Sequence, residues 1–152
     1  MANNEERANY VVTAFLGVTI PTGSHTNGAR DAVVTPTIGL GKGWGNFDVQ
    51  STVGLGIPVG DVDRLGTPVL CNTAFQYRVI KKLWPELEVN TTFFPNGPQA
   101  GNNQIFLSPG LMVGKFRLWK PLGLAVGGGI QIAATHFHKF NHNTVLTVRF
   151  PF

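Results

Sequence analysis

The chain ends with the stretch Leu146-Thr-Val148-Arg-Phe150-Pro-Phe152, in which large apolar residues alternate with other side chains. Successive side chains of a β-strand point to opposite faces, so this stretch predicts a terminal strand with one continuous apolar face. Soluble proteins keep such edge strands short, charged or covered. A bare apolar edge with an aromatic end therefore indicates a strand that closes a barrel in lipid.

The same alternation continues towards the amino terminus. A period of two marks eight segments, near residues 10–20, 34–40, 47–57, 69–79, 87–93, 105–113, 122–132 and 146–152. No segment keeps a period of 3.6 residues, so we expect very little helix. No window offers the ~20 consecutive apolar residues of a membrane helix. The pattern predicts one all-β domain over residues 1–152, with residues 1–8 as a disordered lead-in.

The face opposite the apolar stripes carries small and uncharged polar residues. Charged residues make up 13% of the chain, against about 25% in typical domains, so this face lacks the Lys and Glu of a water-facing surface. Its composition suits the inside of a barrel whose apolar stripes face hydrocarbon. We therefore predict an antiparallel up-and-down transmembrane β-barrel, with about eight strands present or as part of a larger, truncated barrel. The candidate lumen-lining residues are Asp48, Gln50, Asn72, Gln76, Arg78, Glu88, Asn90, Gln131 and Arg149.

The predicted connections alternate between long and short. The long ones, rich in Gly, Asn and Pro, are 21–30, 60–66, 95–103 and 136–142, and the short ones are 41–46, 81–86 and 115–121. Long loops on one rim and short turns on the other are typical of outer-membrane barrels. Each short link holds one tryptophan, Trp44, Trp84 or Trp119, which predicts an interfacial aromatic girdle. The alternative is three unrelated core tryptophans.

Charges on the polar face predict a second feature. A hairpin centred on Leu83 would place Arg78 opposite Glu88 as a cross-strand ion pair, which Asp48 and Arg149 could join. Interior charges of membrane proteins often mark a solute route. The alternative is a polar network that plugs the barrel, and the sequence leaves both open.

Other constellations predict no chemistry. His136, His138 and His142 have a spacing that imidazole metal sites can use, but their loop contains no carboxylate, and we interpret them as polar rim residues. The adjacent pair Ser24-His25 lacks the geometry of a nucleophile and base. The single Cys71 excludes an internal disulfide framework. We expect no catalytic residue, metal or cofactor, and the absence of a basic stripe argues against nucleic-acid binding.

Several stretches resemble one bacterial family. They are Asn9-Tyr-Val-Val-Thr-Ala-Phe-Leu-Gly17 with Pro21-Thr-Gly23, Asn90-Thr-Thr-Phe-Phe-Pro-Asn-Gly97, Gln104-Ile-Phe-Leu-Ser-Pro-Gly-Leu111, Gly129-Ile-Gln-Ile-Ala-Ala-Thr-His-Phe-His138, and Phe140-Asn-His142 leading into Val148-Arg-Phe-Pro-Phe152. The family comprises the outer-membrane β-barrels grouped with phenol meta-pathway degradation proteins, which are labelled as transporters.

The resemblance implies passage of small, aromatic or apolar compounds across the bacterial outer membrane, without catalytic residues. It also implies that Phe150 and Phe152 form the signal read by the outer-membrane assembly machinery. Family members are longer, with a leader and further N-terminal strands. Residues 1–7 have no apolar core and do not form a signal peptide, so we expect a mature form or the C-terminal part of a larger barrel.

The leading hypothesis is a passive channel whose partners are the lipid bilayer, the assembly machinery and a small solute. One alternative is a closed, non-conducting membrane anchor, because side chains just fill the interior of an eight-stranded barrel. Another is a soluble lipocalin-like binder of a small apolar ligand, with the apolar face turned inward. A lipid-modifying barrel enzyme would need a nucleophile, a histidine and an acid near one rim, and we find no such set.

Overall fold

A computed structural model describes residues 2–3, 9–22, 31–60, 62–117 and 122–150. Within these ranges the chain forms ten strands and one short helix, and none of its helical residues forms a segment long and apolar enough to cross a bilayer. The elements are β1 (Ala2–Asn3), β2 (Tyr10–Thr19), β3 (Val33–Trp44), β4 (Phe47–Leu55), β5 (Ile57–Pro58), α1 (Val62–Leu65), β6 (Val69–Tyr77), β7 (Leu83–Phe93), β8 (Asn103–Arg117), β9 (Gly123–Ala133) and β10 (His142–Arg149).

The strands form one antiparallel meander. Its order is β1-β2-β3-β4-β6-β7-β8-β9-β10, with β5 paired to β3 beside the path. The eight long strands match the eight predicted segments, so the all-β, up-and-down prediction is confirmed. The sheet curls into a half-barrel. Among the described residues, β1 covers the outer edge of β2 only at Val11 and Val12, and nothing pairs with the outer edge of β10.

Connections between the long strands alternate in length, as predicted. A two-residue turn at Gly45 and Asn46 joins β3 to β4, and Gly45 adopts a φ of 61° that favours glycine. Residues 78–82 join β6 to β7. Longer segments join β4 to β6 (56–68), β7 to β8 (94–102) and β9 to β10 (134–141). The two rims are therefore a short-turn rim and a long-loop rim.

Strand register separates the two faces of the sheet. Ile38 on β3 pairs with Ala14 and Val53, whereas its neighbour Gly39 pairs with Thr13 and Thr52. The apolar face is exposed, since Leu16 is 65% and Ile38 is 58% accessible. The strand residues that are most buried, including Phe106 at 4% and Ser108 at 8%, lie on the opposite face.

The polar face is therefore the concave, inner face, and the apolar face is the outer face. This agrees with the part of the prediction that places the small polar residues on the inside of the curved sheet. The lipocalin-like alternative has the opposite arrangement, with the apolar side chains pointing inward. The small core consists of concave-face residues such as Met112 and Ala125, which contribute to the inner wall.

The predicted boundaries at the two ends of the chain differ from the structure. The terminal strand begins at His142 and ends at Arg149, so Phe150 lies just beyond it, and residues 151–152 lie outside the described ranges. The strand begins earlier than predicted because its first residues, from His142 onward, pair with β9 (Gly123–Ala133). Ala2–Asn3 pair with β2 as a short strand, which corrects the prediction of a disordered lead-in at those two residues. Residue 1 and residues 4–8 lie outside the described ranges.

Candidate functional site

The concave face contains a recess formed by four neighbouring strands. Because alternate residues share a face, β7 contributes Glu86, Glu88 and Asn90 to it. Strands β8, β9 and β10 contribute Ser108, Gln131 and Thr147, respectively. The recess has a volume of about 160 Å³. We call it the concave recess.

Glycines leave the space that the concave recess occupies. Gly110 on β8 pairs with Gly129 on β9, so two adjacent inner positions have no side chain. A Cβ atom built on Gly129 would lie 2.7 Å from the Pro109 carbonyl oxygen and 3.1 Å from the Gly110 Cα. The close approach of β8 and β9 therefore requires glycine at position 129.

A polar network surrounds the two glutamates. Gln76 donates a hydrogen bond from its Nε2 to Glu86 Oε2. Asn90 Nδ2 donates to Ser108 Oγ over 3.1 Å. Glu88 interacts with Glu86 and Asn90 beside it and electrostatically with Arg149. The site therefore combines carboxylates, amides and a hydroxyl that can hydrogen-bond a small molecule.

Most of the predicted lumen-lining residues lie on the concave face. Glu88, Asn90 and Gln131 line the concave recess itself. Asn72 pairs with Asn90 and with Thr52. By register, Asp48, Gln50, Gln76 and Arg149 share this face. Asp48 and Gln50 also border a smaller recess beside Gly41 and Gly43.

The predicted Arg78–Glu88 ion pair is wrong. The β6–β7 hairpin is centred on Lys81, two residues before Leu83, because Gln76 pairs with Glu86. Glu88 accordingly stands opposite Ala74. Arg78 lies beyond the end of β6 and donates from Nε and Nη2 to Asn46 Oδ1, over 3.2 Å and 2.6 Å. Its role is to join two short turns at the rim.

Arg78→Ala is therefore expected to lower stability slightly and to leave permeability unchanged. Loss of the two exposed hydrogen bonds to Asn46 should cost about 0.5–1 kcal/mol. Denaturant titrations of Arg78→Ala, Asn46→Ala and the double variant would measure the coupling between the two residues. Additive losses would show that the contact contributes nothing, and an altered permeability would return Arg78 to the solute route.

The structure places two of the three tryptophans predicted for the aromatic girdle on opposite faces of the sheet. Trp44 lies on the outer face at the short-turn rim, where it stacks on Phe47 with ring centroids 6.3 Å apart. Trp84 pairs with Met112, so it lies on the concave face and cannot belong to an outward girdle. The reason is that β7 begins at Leu83, so Trp84 is a strand residue that shares a face with Glu86 and Glu88 and is not part of the turn. Trp119 lies outside the described residues.

Other aromatic residues complete the outer band that the tryptophans were expected to form. Phe47 pairs with both Trp44 and Tyr77, and all three side chains are exposed on the outer face. Lys42 Nζ lies 5.8 Å from the Trp44 ring centroid. Lys82 Nζ lies 4.7 Å from the Phe116 ring centroid. Period-two counting outward from each turn would have placed Phe47 and Tyr77 in this band.

Glu86 is a site residue that was not predicted from the sequence. Residues 81–86 were expected to form a turn, whereas β7 already begins at Leu83. The sequence feature that indicates Glu86 as a site residue is the alternation Glu86-Leu-Glu88, which places both carboxylates on one strand face. Glu86 accepts the hydrogen bond from Gln76 and lines the concave recess.

His138 has a structural role in the β9–β10 loop. Its Nδ1 lies 2.6 Å from the Thr135 carbonyl oxygen, and its Nε2 lies 2.7 Å from Asn141 Oδ1. Both ring nitrogens are thus occupied by loop partners. In the described part of the chain, no three His, Cys, Asp or Glu side chains are grouped to hold a metal ion. The pair Ser24-His25 lies outside the described residues.

Comparison with protein-family models gave no match, and searches of curated proteins and of solved structures gave none either. The function is therefore argued from this chain's own residues. Two features carry the argument, namely the apolar outer face with its aromatic band and the concave recess behind it.

Proposed function

We propose that the chain forms the wall of a bacterial outer-membrane β-barrel through which small molecules pass. The observation that carries the proposal is the inside-out distribution of side chains. The outer face exposes residues such as Leu16, Val18 and Ile38, whereas the concave face carries the polar recess. Bilayer lipid is the partner that such an outer face fits.

Exposure of the outer face to water would be unfavourable. Each Å² of apolar surface that leaves water contributes about 25 cal/mol, and the exposed apolar residues extend across all eight long strands. Large exposed patches mark membrane or protein contacts. The aromatic band at the short-turn rim, with Lys42 and Lys82 beside its rings, fits a membrane–water interface. Lipid on the outer face explains both features together.

Curvature favours a channel over a closed anchor. The eight long strands curl into a half-barrel, so closing the barrel takes further strands, and a barrel of about sixteen strands leaves an aqueous channel. The first and last long strands, β2 and β10, run in opposite directions because the meander is antiparallel throughout. Their edges can therefore pair antiparallel with strands from a second copy or from a longer polypeptide. In a bilayer every strand edge must be paired, because hydrocarbon offers no hydrogen bonds to free backbone N–H and C=O groups.

The proposed solute class and the proposed assembly signal are supported by features of the sequence. The resemblance to the phenol meta-pathway family supports small aromatic or apolar solutes. Phe150, at the end of β10, supports recognition by the outer-membrane assembly machinery. The polar concave face supports passive diffusion, since it offers hydrogen bonds along the wall without a catalytic set.

Reconstitution tests the proposal directly. The purified chain is refolded into detergent and then into lipid vesicles, and its insertion is measured by heat-modifiable migration on gels and by protease protection. Planar-bilayer recordings then measure conductance. We expect inserted protein with discrete conductance steps, and the mass of the complex gives the strand count. A stable soluble monomer without detergent would overturn the proposal, and an inserted species without conductance would favour the closed anchor.

A further inference from the structure

The loop between β9 and β10, residues 134–141, packs against the end of β8. Its start is attached to β8, because the Ala134 amide donates to the Ile105 carbonyl oxygen over 2.8 Å. The Ile105 amide donates to Thr135 Oγ1 over 3.0 Å. These two bonds fix the loop against the long-loop end of β8. We call residues 134–141 the inturned loop.

Two aromatic contacts place the inturned loop inside the concavity. Phe140 stacks on Phe106 with ring centroids 4.5 Å apart and an interplanar angle of 14°. Phe137 meets Phe94 edge-on at 5.6 Å. Phe106 belongs to the concave face of β8 and is buried. Because Phe140 covers a residue of the inner wall, it lies within the half-barrel and not above its rim.

Hydrogen bonds within the inturned loop hold this shape. His138 bridges the Thr135 carbonyl oxygen and Asn141 Oδ1. The Ala133 amide donates to the Asn141 carbonyl oxygen over 2.9 Å, which closes the base of the loop. A braced loop whose rings pack against the wall narrows the opening at the long-loop rim.

We propose that the inturned loop is the size-selecting constriction of the channel, with Phe140 as its principal specificity-determining residue. The inference rests on the proposed channel function. Phe106, under Phe140, pairs with Asn90, which lines the concave recess. A solute entering from the long-loop rim therefore passes Phe140 before it reaches Glu88 and Ser108.

Phe140→Ala tests the constriction. Removing the ring opens the passage, so single-channel conductance should rise about twofold or more, because conduction follows the narrowest pore radius. The size limit for neutral sugars and polyethylene glycols should rise with it. Phe93→Ala is the matched control, since Phe93 lies at the same rim on the outer face and is 46% exposed. Its conductance should equal that of the wild type.

Thiol labelling provides a test that keeps a side chain at the position. On a Cys71→Ser background, Phe140→Cys and Phe93→Cys channels are treated with a bulky methanethiosulfonate reagent during recording. Current should fall by more than half for Phe140→Cys and stay constant for Phe93→Cys, because only the first position faces the passage. Cys71 pairs with Val53 on the outer face, so its replacement leaves the lumen intact.

The outcomes separate the two proposals. Unchanged conductance and size limit for Phe140→Ala, or no block of Phe140→Cys, would overturn the constriction while leaving the channel in place. A wild-type chain that inserts without conducting would instead overturn the channel function. Heat-modifiable migration of each variant shows that the barrel has formed before its current is interpreted.

Discussion

Ile38→Arg is expected to lower the free energy of unfolding in lipid by about 2–4 kcal/mol, the range for Arg at the midplane of a barrel's lipid face. Ile38 lies in the middle of β3 on the outer face, is 58% exposed, and pairs with Ala14 and Val53. A guanidinium there would enter hydrocarbon. Urea or guanidinium titrations in lipid vesicles would measure the loss.

Gln50→Arg is the control for Ile38→Arg. Gln50 lies on the concave face, is exposed, and has Gly41 and Ala74 as its cross-strand neighbours, so an arginine fits beside them. Its stability should change by no more than about 0.5 kcal/mol. If Ile38→Arg were as stable as Gln50→Arg, the outer face would not contact lipid and the membrane proposal would be wrong.

Gly129→Val is expected to give the second large effect, a loss of about 1–3 kcal/mol from overpacking. The added Cβ would meet the Pro109 carbonyl oxygen at 2.7 Å, and backbone atoms cannot rotate away as a side chain can. Strands β8 and β9 would have to separate, and this would disrupt the part of the concave recess that Gly129 lines. Equilibrium unfolding and the fraction of heat-modifiable protein after refolding would measure the effect.

The neighbouring glycine is the matched control. A Cβ on Gly128 would lie 3.4 Å from Leu146 Cδ2 and 3.7 Å from the Val145 carbonyl oxygen, which are ordinary contacts on the outer face. Gly128→Val should therefore fold with nearly wild-type stability. Equal losses for the two variants would show that strand propensity, and not the close approach at Gly129, determines the effect.

Much of the fold could be predicted from the sequence, because a period of two directly encodes which residues share a strand face. Eight segments, their two faces and the alternation of loop lengths all followed from it. The β6–β7 register did not, because residues 78–82 contain no Gly or Asn to mark the turn. That error produced the Arg78–Glu88 pair, and the late predicted start of β7 placed Trp84 and Glu86 in a turn instead of on the concave face.

Two further features depend on contacts that local patterns do not contain. Phe140 and Phe106 are far apart in sequence and meet only because β9 lies beside β8. The sequence pattern around Phe140 does not indicate that this loop packs inside the concavity. The curvature of the sheet is likewise set by twist and by packing of the glycine-rich strands, so the strand count could be predicted from the sequence but the barrel size could not.

The meander has a consequence for how the molecule assembles. Every long strand pairs with its neighbour along the chain, so the sheet can grow one hairpin at a time with little loop-closure entropy at each step. In the proposed barrel, joining the outer edges of β2 and β10 to partner strands is a non-local event. Away from a membrane, the same edges offer unpaired amides and carbonyls to any other strand. Refolding yield should therefore depend on how quickly lipid becomes available relative to chain–chain collision.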